Sequence, residues 1–370
     1  MSLIKTNEID PNFWNKKRIF LTGHTGFKGG WLSIWLASMG AKITGYSMEP
    51  KASPNFFDIV GVHEAIDKSV MGDIRNISDL KDAITFASPD IVIHMAAQPL
   101  VRYSYENPIE TFSTNVMGTV NVLESIRGVK CVRAVLIVTT DKCYENKEWN
   151  WGYREIDTLG GYDPYSNSKA CAELVTASYR ESFFPHKLYE EHGVAVATVR
   201  AGNVIGGGDW SADRLIPDAI RAFESNKILV IRNPLATRPW QHVLEPLSGY
   251  LLLAQALFNK GTNYGGAWNF GPNDKDARSV QEVVDLLIKK WKKNARWKQE
   301  EGKQPHEANS LKLDCSKAGK NLGWYPKNSL EEAVSSIVEW HSEYRNEANM
   351  KEVTLNQIRD YILIHNIKKD

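Results

Sequence analysis

The sequence predicts an α/β protein built on a doubly wound parallel sheet, and two observations carry that prediction. Short runs that are apolar at nearly every position recur at 18–23, 42–46, 90–94, 134–138 and 194–199. Segments with helical patterning lie between them, so strand and helix alternate along the chain. A strand that is apolar at successive positions is covered on both faces, which is the condition of a parallel sheet with helices above and below it.

The first unit is the most specific. Arg18-Ile19-Phe20-Leu21-Thr22-Gly23 reads as a buried strand that runs into Gly23-His24-Thr25-Gly26-Phe27-Lys28-Gly29-Gly30 and then into the apolar helix Trp31-Leu32-Ser33-Ile34-Trp35-Leu36. Strand, glycine turn and helix N-terminus in that order form an anion site. Backbone N–H groups and the helix dipole can hold a pyrophosphate there, and glycine leaves no Cβ in its way. Any tight strand-to-helix turn wants glycine, but this context favours a dinucleotide and makes the sheet Rossmann-type. After the second strand, Ser47 and then Glu49 are the polar residues available to a ribose, with Lys51 nearby. Asp73-Ile74-Arg75 follows a further strand, and Asp73 reads either as an acceptor for an adenine amino group or as the N-cap of the next helix.

Between the fourth and fifth runs the stretch Asp163-Pro164-Tyr165-Ser166-Asn167-Ser168-Lys169 opens another helix. Tyr165 and Lys169 stand four residues apart and therefore share a face. An ammonium close to the phenol favours the phenolate and would make a general base of a group with a reference pKa of about 10. An exposed helix carrying one Tyr and one Lys is the bland alternative, and the glycine turn upstream is what outweighs it. From Ala201 the pattern changes to Gly-, Pro- and Trp-rich loops, and the last part of the chain is Lys-rich helix. The expected division is therefore a nucleotide-binding domain at 1–200, rejoined by the chain at 241–272, and a smaller C-terminal α/β substrate-binding lobe at 201–240 and 273–370. The basic run 289–293 reads as a solvated helix face.

Composition bounds the remaining possibilities. A chain of 370 residues can bury a large core, and a net charge of +1 gives no reason to expect nucleic acid. Cys131, Cys143, Cys171 and Cys315 are scattered singly, without metal-ligand spacing, which fits a reducing compartment and no metal. The first ten residues are mostly polar and lack a secretory apolar stretch, and no later run is long enough to span a bilayer. The expectation is a cytoplasmic enzyme without membrane partners.

The glycine turn, His94-Met95-Ala96-Ala97-Gln98, the Tyr165/Lys169 pair and Arg200-Ala201-Gly202-Asn203-Val204-Ile205-Gly206 together resemble the extended short-chain dehydrogenase/reductase family over nearly the whole chain. Adding Thr139-Thr140-Asp141-Lys142-Cys143-Tyr144 and Thr237-Arg238-Pro239-Trp240-Gln241-His242-Val243 narrows the resemblance to its nucleotide-sugar 4,6-dehydratases, with CDP-glucose as the implied substrate. The resemblance implies bound NAD, oxidation of the sugar at C4, loss of water across C5 and C6, and return of the same hydride to C6. It implies that Gly23, Thr25, Gly26, Phe27, Gly29, Asp73, Ile74, Ala96, Ala97, Tyr165 and Lys169 hold the cofactor. Tyr165 would take the C4 hydroxyl proton, Thr140 would bond the same oxygen, and Lys169 would hold the nicotinamide ribose. Asp141 matches the acid for the departing C6 oxygen, or is only a turn residue. Lys142 stands where relatives carry a glutamate base, so it is either a neutral lysine base at C5 or an ammonium that stabilises the enolate.

Asn203, Arg214 and Arg238 match positions that hold the diphosphate, for which a guanidinium fork is suited. Arg214 reads equally as a surface salt bridge, and His306 equally as a substrate contact or a solvent-facing residue. A homodimer through sheet-flanking helices and a role in deoxysugar synthesis for surface polysaccharide are also implied. A 4-epimerase or another nucleotide-sugar dehydratase would share most of these residues, and loss of water from the product separates them. A non-catalytic NAD-binding sensor is the reading from a different class, and the intact Tyr165/Lys169 pair argues against it.

Overall fold

The computed structural model describes residues 8–292, 294–301 and 310–367. Thirteen strands are formed among the described residues: β1 (Arg18–Thr22), β2 (Lys42–Ser47), β3 (Lys68–Met71), β4 (Ile91–His94), β5 (Ala134–Val138), β6 (Ala195–Arg200), β7 (Val204–Ile205), β8 (Leu229–Ile231), β9 (Thr237–Pro239), β10 (Gln241–His242), β11 (Gly266–Asn269), β12 (Ala277–Ser279) and β13 (Trp297–Gln299). Seven of them build one sheet in the order β3-β2-β1-β4-β5-β6-β11. Every neighbouring pair in it is parallel. Strands β4, β5 and β6 are buried at every position, as their continuous apolar runs require.

The longer helices are α1 (Phe27–Ser38), α2 (Ile77–Ala87), α3 (Gly118–Ile126), α4 (Pro164–Ser182), α5 (Leu215–Glu224), α6 (Leu244–Lys260), α7 (Val280–Trp291), α8 (Leu330–Arg345) and α9 (Met350–Ile367). Alternation along the strands divides the core between the two sheet faces. Ile19, Leu21, Ile91 and Ile93 pack with Trp31 and Trp35 of α1 and Leu247 and Leu251 of α6. Phe20, Val92, Val135 and Ile137 pack instead with Leu80 and Ile84 of α2 and Val122, Leu123 and Ile126 of α3. Each fully buried side chain of this kind contributes about 1.5–3 kcal/mol.

A separate core gathers Ile216, Ile220 and Phe223 of α5, Val283, Val284 and Leu287 of α7, Val334 and Ile337 of α8, and Leu229 and Ile231 of β8. The sequence reading placed all of 273–370 with this smaller lobe, but α9 lies on the sheet layer. Ile358 and Tyr361 belong to the core around α1 and α6, with Tyr361 edge-on to Trp35 and its hydroxyl donating to Glu245 Oε2 at 2.9 Å. An apolar helix face goes where matching surface exists, and the order of the chain does not reveal that. Among the described residues, no helix is long and apolar enough to cross a membrane.

Candidate active site

Strand order reverses between β1 and β4, so a crevice opens where β1 runs into Gly23 and β4 into Met95 and Ala96. Gly23 adopts φ +82°, and a Cβ on it would stand 2.7 Å from Ala96 N. A Cβ on Gly29 would stand 2.1 Å from Gly23 O, because the first turn of α1 sits directly on the loop. Gly26 N-caps α1 with no side-chain hydrogen bond, so the N-terminal N–H groups of that helix have no side-chain cap. Thr22 Oγ1 fixes the opposite wall by accepting from the N–H groups of Met95 and Ala96, each at 3.1 Å.

Other residues expected at the cofactor take more varied positions. Thr25 Oγ1 lies 2.8 Å from Ser47 Oγ and donates to Met48 O at 2.9 Å, tying the glycine turn to the end of β2. Phe27 lies at the start of α1 against Gly206, whose added Cβ would stand 2.9 Å from the ring. Asp73 is not the cap of the next helix: Asn76 holds that position, accepting from Ser78 N and Asp79 N. The Asp73 carboxylate is instead gripped by Arg75 Nε at 2.8 Å, and this bond holds its pKa below the usual range. Ile74 is buried beneath Gly118, and its carbonyl accepts from Asn121 Nδ2 at 2.9 Å. Lys51 faces Glu110 at 3.9 Å.

At the end of β5, Thr140 caps a tight turn over Asp141–Cys143. Its hydroxyl oxygen accepts from Lys142 N at 3.3 Å and lies 3.1 Å from Asp141 Oδ1. It also acts on the phenol of Tyr165, which enters from the first turn of α4, favouring its anion. Burial pushes Tyr165 up to about 12, while the Thr140 hydroxyl and the Arg214 charge act the other way. Lys169 is brought down to about 8 by burial, against the opposing charge of Glu173. Its Nζ donates to Val138 O at 3.1 Å. The i,i+4 spacing predicted an ammonium against the phenol; the hydrogen bond that Lys169 makes is to a strand-end carbonyl. Thr140 and Arg214 are the groups that favour the phenolate.

Asp141 is 1% exposed and its pKa is raised by burial, with Lys142 and Arg238 opposing. Its Oδ2 has no hydrogen-bond partner and rests over Gly202, where a Cβ would come within 1.7 Å. Lys142 is half-buried at the edge of a cleft of about 720 Å³ that it shares with Tyr162, Asp163, Ser166 and Arg238.

Among the expected substrate contacts, Asn203 sits at φ +44° with its buried Nδ2 unpartnered. Arg214 donates to Asp209 Oδ2 at 3.0 Å, the salt bridge that the sequence offered as one alternative, and its charge favours the Tyr165 anion. Arg238 is buried, donates to Thr237 O at 3.0 Å and acts on Asp141. His306 lies outside the described residues.

Three residues of this site escaped the sequence reading. Lys28 is brought down to about 7 by burial and by the charges of Lys169 and Arg214, and its Nζ donates to the hydroxyl of Tyr250 at 3.0 Å. Lys28 was visible inside the glycine turn, but only its backbone had an argued role. Tyr250 comes from α6, where its apolar neighbours mark it as core. Asn115 lies in a π-helical turn at Ser113–Met117, accepts from Gln98 N at 2.8 Å and donates to Ser168 Oγ at 2.8 Å. Such turns leave no periodic signal and gather at functional sites.

Comparison with known proteins gives a consistent result. Residues 20–337 match the family described as GDP-mannose 4,6 dehydratase. The chain is 53% identical over 354 residues to a CDP-glucose 4,6-dehydratase of Salmonella typhimurium, covering 96% of this chain and 98% of that protein. Among solved structures it resembles dTDP-glucose 4,6-dehydratase from Bacillus anthracis in complex with NAD, with TM-score 0.72, 22% identity, and coverage of 90% of this chain and 98% of that one. It also resembles an epimerase from Methanothermobacter thermautotrophicus, with TM-score 0.77, 20% identity, and coverage of 94% and 98%. The chain therefore belongs to the family described as GDP-mannose 4,6 dehydratase, among the extended short-chain dehydrogenases/reductases that its motifs resemble.

Proposed function

We propose that the protein is an NAD-dependent dehydratase that converts CDP-glucose to CDP-4-dehydro-6-deoxyglucose. The observation that carries this reading is the meeting of Tyr165 and Thr140 beside a buried Asp141, in a chain 53% identical to a CDP-glucose 4,6-dehydratase. The glycine cradle fits the cofactor, because a Cβ at Gly23 or Gly29 would collide with backbone and the helix behind them has no side-chain cap. Gly23, Gly26, Gly29, Ala96 and Lys169 would hold it. When bound, NAD would supply the acceptor for a hydride from C4 and the donor of the same hydride at C6, so none would be consumed.

The remaining steps belong to the chain. Tyr165 removes the C4 hydroxyl proton while Thr140 bonds the same oxygen, and Arg214 steadies the phenolate. Oxidation at C4 acidifies C5–H, since a neighbouring carbonyl spreads the charge of the carbanion. Asp141, kept protonated by burial to a higher pH than an ordinary carboxyl, delivers a proton to the leaving C6 oxygen. Lys142 acts at C5: as a neutral amine it takes the C5 proton itself, and as an ammonium it stabilises the enolate while solvent water takes that proton. Asn203, Arg214 and Arg238 line the approach for the diphosphate. The β1–β6 region with the returning 241–272 segment serves the cofactor, and 201–240 with α7 and α8 serves the sugar nucleotide.

Exposed Tyr105, Ile109, Met117 and Leu174 on neighbouring helices support a homodimer, which light scattering of the purified protein tests. A cytoplasmic site of action and supply of a deoxysugar for surface polysaccharide such as lipopolysaccharide complete the proposal. The decisive experiment incubates the protein and NAD with CDP-, dTDP-, UDP- and GDP-glucose. Loss of one water from the CDP sugar, without net NADH, supports the reading. An isomer of unchanged mass identifies a 4-epimerase instead.

A further inference from the structure

Helix α4 carries Tyr165, Lys169 and Glu173 at successive i,i+4 positions, so the three follow one face. Glu173 is 4% exposed, and both its oxygens are occupied. Oε1 accepts from Thr139 Oγ1 at 2.5 Å and Arg200 Nε at 2.9 Å; Oε2 accepts from Thr198 Oγ1 at 2.6 Å and Arg200 Nη2 at 2.9 Å. Arg200 is 3% exposed, and its Nη1 donates to the Tyr144 hydroxyl at 2.7 Å and to Glu155 O at 3.1 Å. The Tyr144 hydroxyl in turn donates to Asn269 Oδ1 at 2.7 Å. Thr139 immediately precedes Thr140, and Tyr144 immediately follows the turn over Asp141–Cys143. The network therefore grips that turn at both ends and joins it to the helix one turn beyond Lys169.

We propose that Glu173 and Arg200 are positioning residues: their ion pair sets α4, with Tyr165 and Lys169, against the turn of Thr140, Asp141 and Lys142, and keeps an anion beside the Lys169 ammonium. This rests on the reading of Tyr165 and Lys169 as the proton-handling pair. Stability alone is a weak reason for such a pair, because apolar replacements of buried ion pairs are often neutral or stabilising. The charge matters at Lys169 because of what else faces it. Cys143, from the turn after β5, is pushed well up by burial and stays a neutral thiol. His94, at the end of β4, is brought down to about 3 by burial and stays neutral. Lys28, from α1, is brought down to about 7, in part by the Lys169 charge, and adds a like charge only below that pH. Of these groups Glu173 is the anion, and it opposes the burial that favours neutral Lys169.

The test uses stopped-flow single turnovers with CDP-glucose and NAD, reading C4 oxidation as NADH absorbance across pH. Glu173→Asp keeps the charge but shortens its reach. It should slow oxidation about 10–100-fold with KM unchanged and leave the alkaline limb where the wild type has it. Glu173→Gln combined with Arg200→Met removes both charges, so neither is stranded in the core if the single variant fails to fold. Its alkaline limb should move about one pH unit toward acid. Repeating both in a Lys28→Met background assigns the limb to Lys169. An unmoved limb in the double variant, or wild-type oxidation in Glu173→Asp, overturns the inference. A wild-type protein that neither shows transient NADH nor forms product overturns the underlying functional reading instead.

Discussion

Asp141→Asn is the substitution that most directly tests how the site divides its labour. Asparagine keeps the shape and can still bond Thr140, but it cannot deliver a proton to the C6 oxygen. A positioned general acid contributes about 10²–10⁴ in rate, or about 3–5 kcal/mol of barrier, and that loss should fall on elimination alone. C4 oxidation depends on Tyr165 and Thr140, so a rapid burst approaching one NADH per site should form and persist, read by absorbance and by mass spectrometry of the trapped 4-keto sugar. The same substitution has an opposite effect on stability. The folded-state pKa of Asp141 is raised by burial, so the fold binds this proton more tightly than the unfolded chain does. Its stabilising contribution is fully present below the unfolded value, about 3.8, and is lost as pH rises through the folded value. Asparagine removes that loss, so the variant should melt above the wild type at neutral pH, with the gap closing in acid. Elimination at the wild-type rate would refute the acid role. A variant less stable than wild type at neutral pH would refute the claim that burial outweighs the nearby charges of Lys142 and Arg238.

Tyr165→Phe should slow C4 oxidation far more than it weakens substrate binding, so kcat falls with KM little changed; normal turnover with a raised KM would make Tyr165 a mere contact. Lys142→Ala should still form the 4-keto intermediate but lose exchange of the C5 proton with solvent, measured by deuterium incorporation. Lys142→Glu then separates the two roles: partial recovery of exchange identifies a base, and exchange slower than in the alanine variant identifies a charge stabiliser. Gly29→Ala forces a Cβ to within 2.1 Å of Gly23 O, and overpacking of this kind costs about 1–3 kcal/mol. Both the melting temperature and NAD affinity by calorimetry should fall, and an unchanged affinity would show that the turn is not the cofactor cradle.

What could be read from the sequence was local chemistry. The glycine turn was legible because Gly23 and Gly29 meet a backbone constraint, a positive φ or a collision, that few other residues satisfy. The face shared by Tyr165 and Lys169 was legible because helix geometry follows from spacing. What Lys169 bonds to was not, because Val138 O arrives from a strand whose end is fixed by packing. Asp73 lost the cap to Asn76, since either residue can cap and only the helix start decides. Tyr250 and Arg200 reach the site through contacts between distant parts of the chain; Lys28 and Glu173 stood beside the glycine turn and one helical turn past Lys169, but the partners that give them a role come from elsewhere in the fold.

The deeper reason lies in what burial does to the site. Removing water favours the neutral form of every group, which raises Asp141 and Tyr165 and lowers Lys169 and Lys28. One cause thus suits Asp141 to be an acid and makes Tyr165 a poorer base. Hydrogen bonds and charges must then distinguish them. The Tyr165 oxygen has the Thr140 hydroxyl and the Arg214 charge to favour its anion; Asp141 has Thr140 at Oδ1 and the charges of Lys142 and Arg238, which burial outweighs, and its Oδ2 has no donor and lies against the bare backbone of Gly202. An alanine at 202 would displace that carboxylate, so the acid depends on an absent side chain as much as the base depends on a present one.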